Sequence, residues 1–404
     1  MNASRRVAYL AAVCVIAPGA AQAASWTANP GLELTSGADN DYGLAFGHPN
    51  RVGLASMKGD LVAARETENE ATHLDASLVG LLLRGDLRQN EWQDSIALSH
   101  TVSGPVDSFG FDAKTTRDET LQTPVSSADV LIGRGLQRDI NGDASWNRHI
   151  TERLGTTTVV GLDRHRYSAS LGGAHDYQNG SLSTSLRYLL DERDSVNARL
   201  AHQDYRTLAN DVRSFTDSLS AGGTRALTEN SNAGISVGAY RSRTTVLERL
   251  LACADAACGR PIVVAQVGHV ARWGVQYDAS FDGQWSELTR LALSAGRRQD
   301  PSGAGVTVLD DTLHVSLDHA WSETLTGSAS ATRSTSRYLG SADGQGSRLQ
   351  TLAASLTKLI SPRLSLRANA DYRRSTQVSD GLHAHSASVS LTLRYEWQRL
   401  EAHH

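Results

Sequence analysis

The chain has 404 residues, 40% of them apolar and 20% charged, with 35 Gly but only 8 Pro and 5 Phe. Beyond Ala24 no run approaches the ~20 apolar residues that a membrane-spanning helix needs, which excludes a helical membrane protein. A net charge of −4 brings no basic excess and argues against a nucleic-acid partner. A chain of this length is either two or three soluble domains or one large β-barrel.

Arg5 and Arg6 precede an apolar stretch, Val7–Ala17, and Ala21-Gln22-Ala23 offers the small-x-small pattern that signal peptidase cuts after. These features predict a Sec-type signal peptide over residues 1–23 and one exported domain over 24–404. Cys14 leaves with the signal. Cys253 and Cys258 remain, and a close even pair in an exported protein predicts a local disulfide that pins a loop tip. A metal clip would need two further ligands, and His269 is the one obvious neighbour.

The exported part alternates. Leu182, Thr184, Leu186, Tyr188 and Leu190 occupy every second position, as do Leu313, Val315 and Leu317 ahead of Trp321. Further on, Leu364, Leu366, Ala368, Ala370 and Tyr372 interleave with Ser365, Arg367, Asn369, Asp371 and Arg373. The last run sets Ala387, Val389, Leu391, Leu393, Tyr395 and Trp397 against Ser386, Ser388, Ser390, Thr392, Arg394 and Glu396. A period of two is the mark of strands with differently solvated faces, whereas a helix would space its apolar residues three and four apart.

Between these runs lie short polar turns: Thr151-Glu-Arg-Leu154, Asp191-Glu-Arg-Asp194, Thr228-Glu-Asn-Ser231, Ser286-Glu-Leu288, Ser322-Glu-Thr-Leu325 and Ser361-Pro-Arg363. They recur every ~38 residues, enough for a strand out, a loop, a strand back and a tight turn. One longer interval holds Cys253 and Cys258, which predicts an insertion stapled by the disulfide. Further turns near Glu66–Ala71 and Gly104–Asp107 divide the chain into nine hairpins. The fold expected is therefore all-β: a transmembrane, antiparallel, up-and-down β-barrel of about 18 strands, within a range of about 16 to 18. Outer loops are predicted over Gly37–Asn50, Gly85–Asn90, Pro124–Gly135, Ser170–Asn179, Ala209–Phe215, Leu250–His269, Asp300–Val306, Gly340–Ser347 and Gln377–Leu382, all rich in turn formers.

An exported sheet with a narrow apolar stripe must hide it against another sheet or in lipid, and lipid admits only a closed barrel because every backbone polar group needs an internal partner. Trp146, Trp285, Trp321, Tyr395 and Trp397 fall near the short turns or the chain end, where a membrane interface favours aromatic rings. On the other face, Arg187, Asp318, Arg367, Asp371, Arg373, Arg394 and Glu396 would be costly in a dry core and are tolerable in a wet lumen.

The chain resembles predicted outer-membrane β-barrel proteins often encoded beside exopolysaccharide or cell-envelope assembly genes. The resemblance rests on Asp39-Asn40-Asp41, on Arg117-Asp118-Glu119-Thr120-Leu121-Gln122-Thr123, and on the turns Thr151-Glu152-Arg153 and Asp191-Glu192-Arg193. Glu119 departs from the usual Ser, and the cysteine pair is not a feature of the group. The resemblance implies a barrel in the cell envelope linked to surface polysaccharide, and it implies no catalytic residues. Tyr395-x-Trp397 also resembles the aromatic end signal read by barrel-assembly machinery.

Catalytic chemistry is not expected. Neither Gly-x-Ser-x-Gly nor His-Glu-x-x-His is present, and Ser near one of His149, His165, His202, His314 or His319 is expected by chance among 14 histidines. His175-Asp176 reads as a polar loop, His383 and His385 are too few for a metal site, and Asp343-Gly-Gln-Gly lacks the remaining calcium ligands. No cofactor is expected. The reading is a passive outer-membrane pore for polar solutes or saccharides, with lipid, assembly machinery and polysaccharide-export components as partners. Alternatives are a non-channel adhesin-like barrel or export accessory and, less favoured, an outer-membrane hydrolase.

Overall fold

A chain that alternates apolar and polar side chains can serve both only as extended strands with a different medium on each face. The computed structural model describes residues 26–44, 49–119, 136–168, 175–208, 211–253, 261–302, 307–338, 346–377, 381–397 and 400–402, and it is built of such strands. They are β1 (Trp26–Asp39), β2 (Val52–Glu66), β3 (Glu70–Gly85), β4 (Gln89–Ser103), β5 (Asp107–Glu119), β6 (Leu136–His149), β7 (Leu154–Tyr167), β8 (Tyr177–Leu189) and β9 (Asp194–Thr207). The second half adds β10 (Val212–Thr228), β11 (Ser231–Cys253), β12 (Pro261–Ser286), β13 (Thr289–Pro301), β14 (Thr307–Ser322), β15 (Leu325–Tyr338), β16 (Gly346–Ser361), β17 (Leu364–Gln377) and β18 (His383–Glu396). Each strand pairs antiparallel with its neighbours in sequence, and β1 pairs with both β2 and β18, closing an eighteen-stranded barrel. No helix among the described residues is long and apolar enough to cross a membrane.

The last strand has a sequel. A short segment, β19 (Leu400–Ala402), resumes the ladder against Trp26–Ala28 with one residue more on its own side than on β1. The irregularity falls at Pro30, which has no N–H to offer the ladder; its carbonyl accepts instead from the Trp397 N–H at 3.1 Å.

At one end of the barrel the strands are joined by tight turns at the positions that the spacing predicts. Their first residue explains the recurrence of Ser, Thr and Asp there, because its side-chain oxygen satisfies the backbone of the turn. Thr151 Oγ1 accepts from the N–H groups of Arg153 and Leu154 at 3.3 and 3.0 Å. Asp191 Oδ1 accepts from those of Arg193 and Asp194, both at 2.7 Å. These two hydrogen bonds hold the Asp191 carboxyl below its ordinary pKa. A depressed pKa stabilises the turn above the unfolded-state value of ~3.9, and that support fades as pH falls through the folded one. Carbon-13 titration of the Asp191 carboxyl should accordingly give a midpoint below that of an ordinary aspartate, whereas a midpoint at or above it would contradict the turn geometry.

The single long interval is resolved differently from the expected loop. Leu250–Cys253 pair with Pro261–Val264, so the excess length lies in β11 and β12 themselves, and residues 254–260 between them lie outside the described residues. β10 follows this hairpin only to Val246, and β13 only to Tyr277, so it projects beyond both neighbours. Cys258, the side chain of Cys253, and the expected signal peptide lie outside the described residues.

One face of the sheet is apolar all round. Leu34, Leu182, Leu200, Leu219, Ile235, Leu313, Leu352 and Val389 are all exposed. Moving a side chain of this size from water to hydrocarbon gains about 1.5–3 kcal/mol, and a belt of them is far more than a soluble monomer displays. The belt suits acyl chains.

Candidate conduit and its narrowed outer end

Lateral pairing decides which side chains share a face. The register sets Arg187, Asp318, Arg367, Asp371, Arg373, Arg394 and Glu396 on the face opposite the exposed leucines, together with Ser, Thr and Asn. Two contacts that start from this face, those of Tyr205 with Ser302 and of Arg394 on β18 with Asp60 on β2, show that it points inward, since each joins strands that are not neighbours. A third contact, that of Tyr42, ties the loop end. Tyr42, just after β1, packs on Val52, Leu81 and Leu83 and donates its hydroxyl to Glu119 at the end of β5. The Tyr205 hydroxyl on β9 donates to the carbonyl of Ser302, just after β13, at 2.8 Å.

Exposure along the inner face is graded. At the loop end Asp39, Glu91, Asp139, Tyr177, Ser214, Ser242, Asp310, Ser334, Ser375 and Ser386 are buried. Towards the turns Asp112, Asp143, Asp318 and Arg367 are exposed. The interior is thus constricted at its loop end and open towards the turns, where Asp282, Arg290, Asp318, Thr357 and Arg367 line a recess of about 710 Å³.

The constriction is anchored by buried polar groups that find partners. Asp39 accepts from Ser386 Oγ at 2.7 Å, the Asp41 N–H at 2.8 Å and Arg373 at 3.2 Å. Asn40 exchanges hydrogen bonds with the backbone of Ala387. The Asp39-Asn40-Asp41 motif therefore folds the first loop back onto β18. Asp310 accepts from the hydroxyls of Ser334, Ser336 and Thr312 at 2.6 to 2.9 Å. An aromatic shelf completes the wall: His165 stacks on Tyr177 at 4.5 Å, Tyr177 meets Tyr205 at 5.3 Å, and His165 Nδ1 lies 2.7 Å from Asp139.

The other charged residues singled out in the sequence separate into paired and open groups. Arg394 reaches Glu396 at 2.9 Å, Asp60 at 3.2 Å and Glu33 at 3.5 Å. Arg187 donates to Ser195 Oγ and Arg367 to Thr357 Oγ1, each at 3.2 Å. Asp318 stands opposite Arg290 and Ser328, and Asp371 opposite Ala353 and Ser388. Of the aromatic residues, Trp285 is 82% exposed, Trp321, Tyr395 and Trp397 are also exposed, and Trp146 stacks on Phe109 and donates to Asp107. Tyr42, Tyr205 and Ser302 were not singled out by sequence reasoning, nor were Asp112, Asp143 and Asp163. The three aspartates had a readable signal, a carboxylate at an inward position on three successive strands.

Two of the histidines pair closely with carboxylates. His165 and His202 each meet a carboxylate at 2.7 Å, but Tyr177 and Phe215 stack on their rings, and no serine completes a triad among the described contacts. No group of three His, Cys, Asp or Glu suited to a metal ion occurs among the described residues.

No family model matches the chain, and no curated protein does. Among solved structures it is similar to the outer-membrane protein OpdK of Pseudomonas aeruginosa, at 12% identity and a TM-score of 0.45 over 92% of this chain and 99% of that one. It is also similar to OccK2 (OpdF) of the same organism, at 14% identity and a TM-score of 0.47 over 93% and 98%. A third is the ferric-catecholate import receptor Fiu of E. coli, at 9% identity and a TM-score of 0.46 over 91% and 81%. The likeness is one of strand layout.

Proposed function

We propose that the protein is an outer-membrane channel through which small polar solutes pass along the hydrophilic interior. The observation that carries this reading is the inner face itself: closed all round, charged, and graded from a constricted outer end to an open inner one. Short turns belong on the periplasmic side of such barrels, so solutes enter past the Tyr42 and Tyr205 contacts and leave through the wider vestibule. The tight mouth supports small molecules, single sugars among them, over a polysaccharide chain, so the link to polymer export is not part of the proposal.

Reconstitution in planar bilayers tests it. The wild type should give stable conductance, Tyr205→Phe should raise it by freeing the chain at Ser302, and Arg367→Gln should alter it. Persistent silence would sink the channel reading. It would favour the second one, a non-channel envelope barrel, for which the projecting β11–β12 hairpin supplies a contact element.

A further inference from the structure

Four consecutive strands, β5 to β8, carry a run of inward-facing acceptors that mere passage of polar solutes does not require. Asp112 and Asp143 are direct cross-strand partners, a placement that destabilises a sheet when two like charges face each other uncompensated. Neither has a hydrogen bond or ion pair among the described residues. Gly161 follows Asp143 in register, and a Cβ there would come within 2.5 Å of Asp143 Oδ1. The missing side chain is what lets that carboxylate lie across β7.

The next acceptor is Asp163, whose oxygens accept from Asn141 Nδ2 at 2.8 Å and Asn179 Nδ2 at 3.3 Å. Asn179 is only 4% exposed, and with its nitrogen committed to Asp163 its Oδ1 has no donor. Flipping the amide would turn that oxygen onto the carboxylate, so the observed orientation is the favourable one. A buried carbonyl oxygen without a donor is costly, and the chain supplies none here. A recess of about 280 Å³ adjoins, lined by Asp75, Asp112, Asn141 and Asp143 with Lys114 as its one cation. On the arginine-bearing wall, by contrast, Arg373 and Arg394 are already held by carboxylates.

We propose that Asp112, Asp143, Asp163 and Asn179 form a track that binds ammonium or guanidinium groups. On the channel reading above, on which the transport aspect rests, the solutes favoured are therefore small organic cations. Such a group carries several N–H donors and a positive charge. It compensates the Asp112–Asp143 pair and offers Asn179 Oδ1 the donor it lacks, whereas an anion at the same place meets the like charges of Asp112, Asp143 and Asp163.

Two measurements separate this proposal from the channel reading. Calorimetric titration of methylguanidinium into the refolded, detergent-solubilised barrel reads the track without conduction. Saturable binding is expected, weakened about tenfold or more in Asp112→Asn/Asp143→Asn and in Asn179→Leu, with heat-modifiability on gels confirming that each variant is folded. In bilayers under a KCl gradient, the wild type should prefer K⁺ over Cl⁻ by about fivefold, and the double variant should approach no preference. Glu192→Gln, in a periplasmic turn, should change neither readout. Absent binding, binding indifferent to the variants, or a response to Mg²⁺ alone would overturn the track. A silent bilayer with intact binding would overturn the channel and leave the track standing.

Discussion

Replacing Arg394 by Met should lower the urea midpoint and the temperature of the gel-mobility shift by the equivalent of about 2–4 kcal/mol. Arg394 sits where the sheet closes on itself. Its guanidinium links β18, β1 and β2 through Glu396, Glu33 and Asp60. Asp60 is opposite Gly31, and a Cβ at Gly31 would come within 2.6 Å of the Asp60 Oδ2 that Arg394 binds, so the glycine opens the passage under β1. The Asp60 side chain is only 9% accessible, and its Oδ1 has no hydrogen bond. Loss of Arg394 would leave this carboxylate charged, enclosed and unpaired, which costs more than the pair contributes. Removing both charges in Arg394→Met/Asp60→Leu should therefore recover much of the loss, a non-additivity expected of groups in contact. If the single variant melts with the wild type, the seam is held by backbone pairing alone.

What the sequence made legible follows from which interactions are local. The phase of β8, β17 and β18 could be read because two media on two faces act on every residue in turn, and the period survives single exceptions such as Thr184. The turns at Thr151, Asp191 and Ser322 were legible because a side chain caps its own backbone two or three residues on. The constriction was not. Tyr42 and Glu119 are 77 residues apart, Tyr205 and Ser302 are 97 apart, and no periodicity connects a loop to the wall it crosses to. The Asp112–Asp143 pair needed the register of β5 on β6, because a slip of one residue would send either carboxylate to the opposite face. The long interval misled for a related reason: its length was visible, but whether the extra residues form loop or paired strand depends on partners across the hairpin.

Leu219→Arg should cost about 2–4 kcal/mol when unfolding is followed from a bilayer, the value for a guanidinium near the midplane of the lipid face. Leu219 lies midway along β10, is 60% exposed and pairs laterally with Leu200, itself 61% exposed. An arginine there must hold its charge in hydrocarbon or drag water and headgroups inward. The adjacent position gives the counterpart. Ser220 faces the interior opposite Arg199, so Ser220→Asp introduces a charge of similar size on the other side of the same strand and should be neutral or mildly stabilising. The sign of the first effect separates the two media that could bathe the belt. In water, exchanging an exposed leucine for arginine would leave stability within about 0.5 kcal/mol and improve solubility, because a solvated surface position carries no desolvation penalty. In acyl chains the same exchange is among the most damaging a barrel wall can suffer. Equal tolerance of Leu219→Arg and Ser220→Asp would mean that the outer belt does not contact lipid, and the channel, its vestibule and the cation track would lose their common premise.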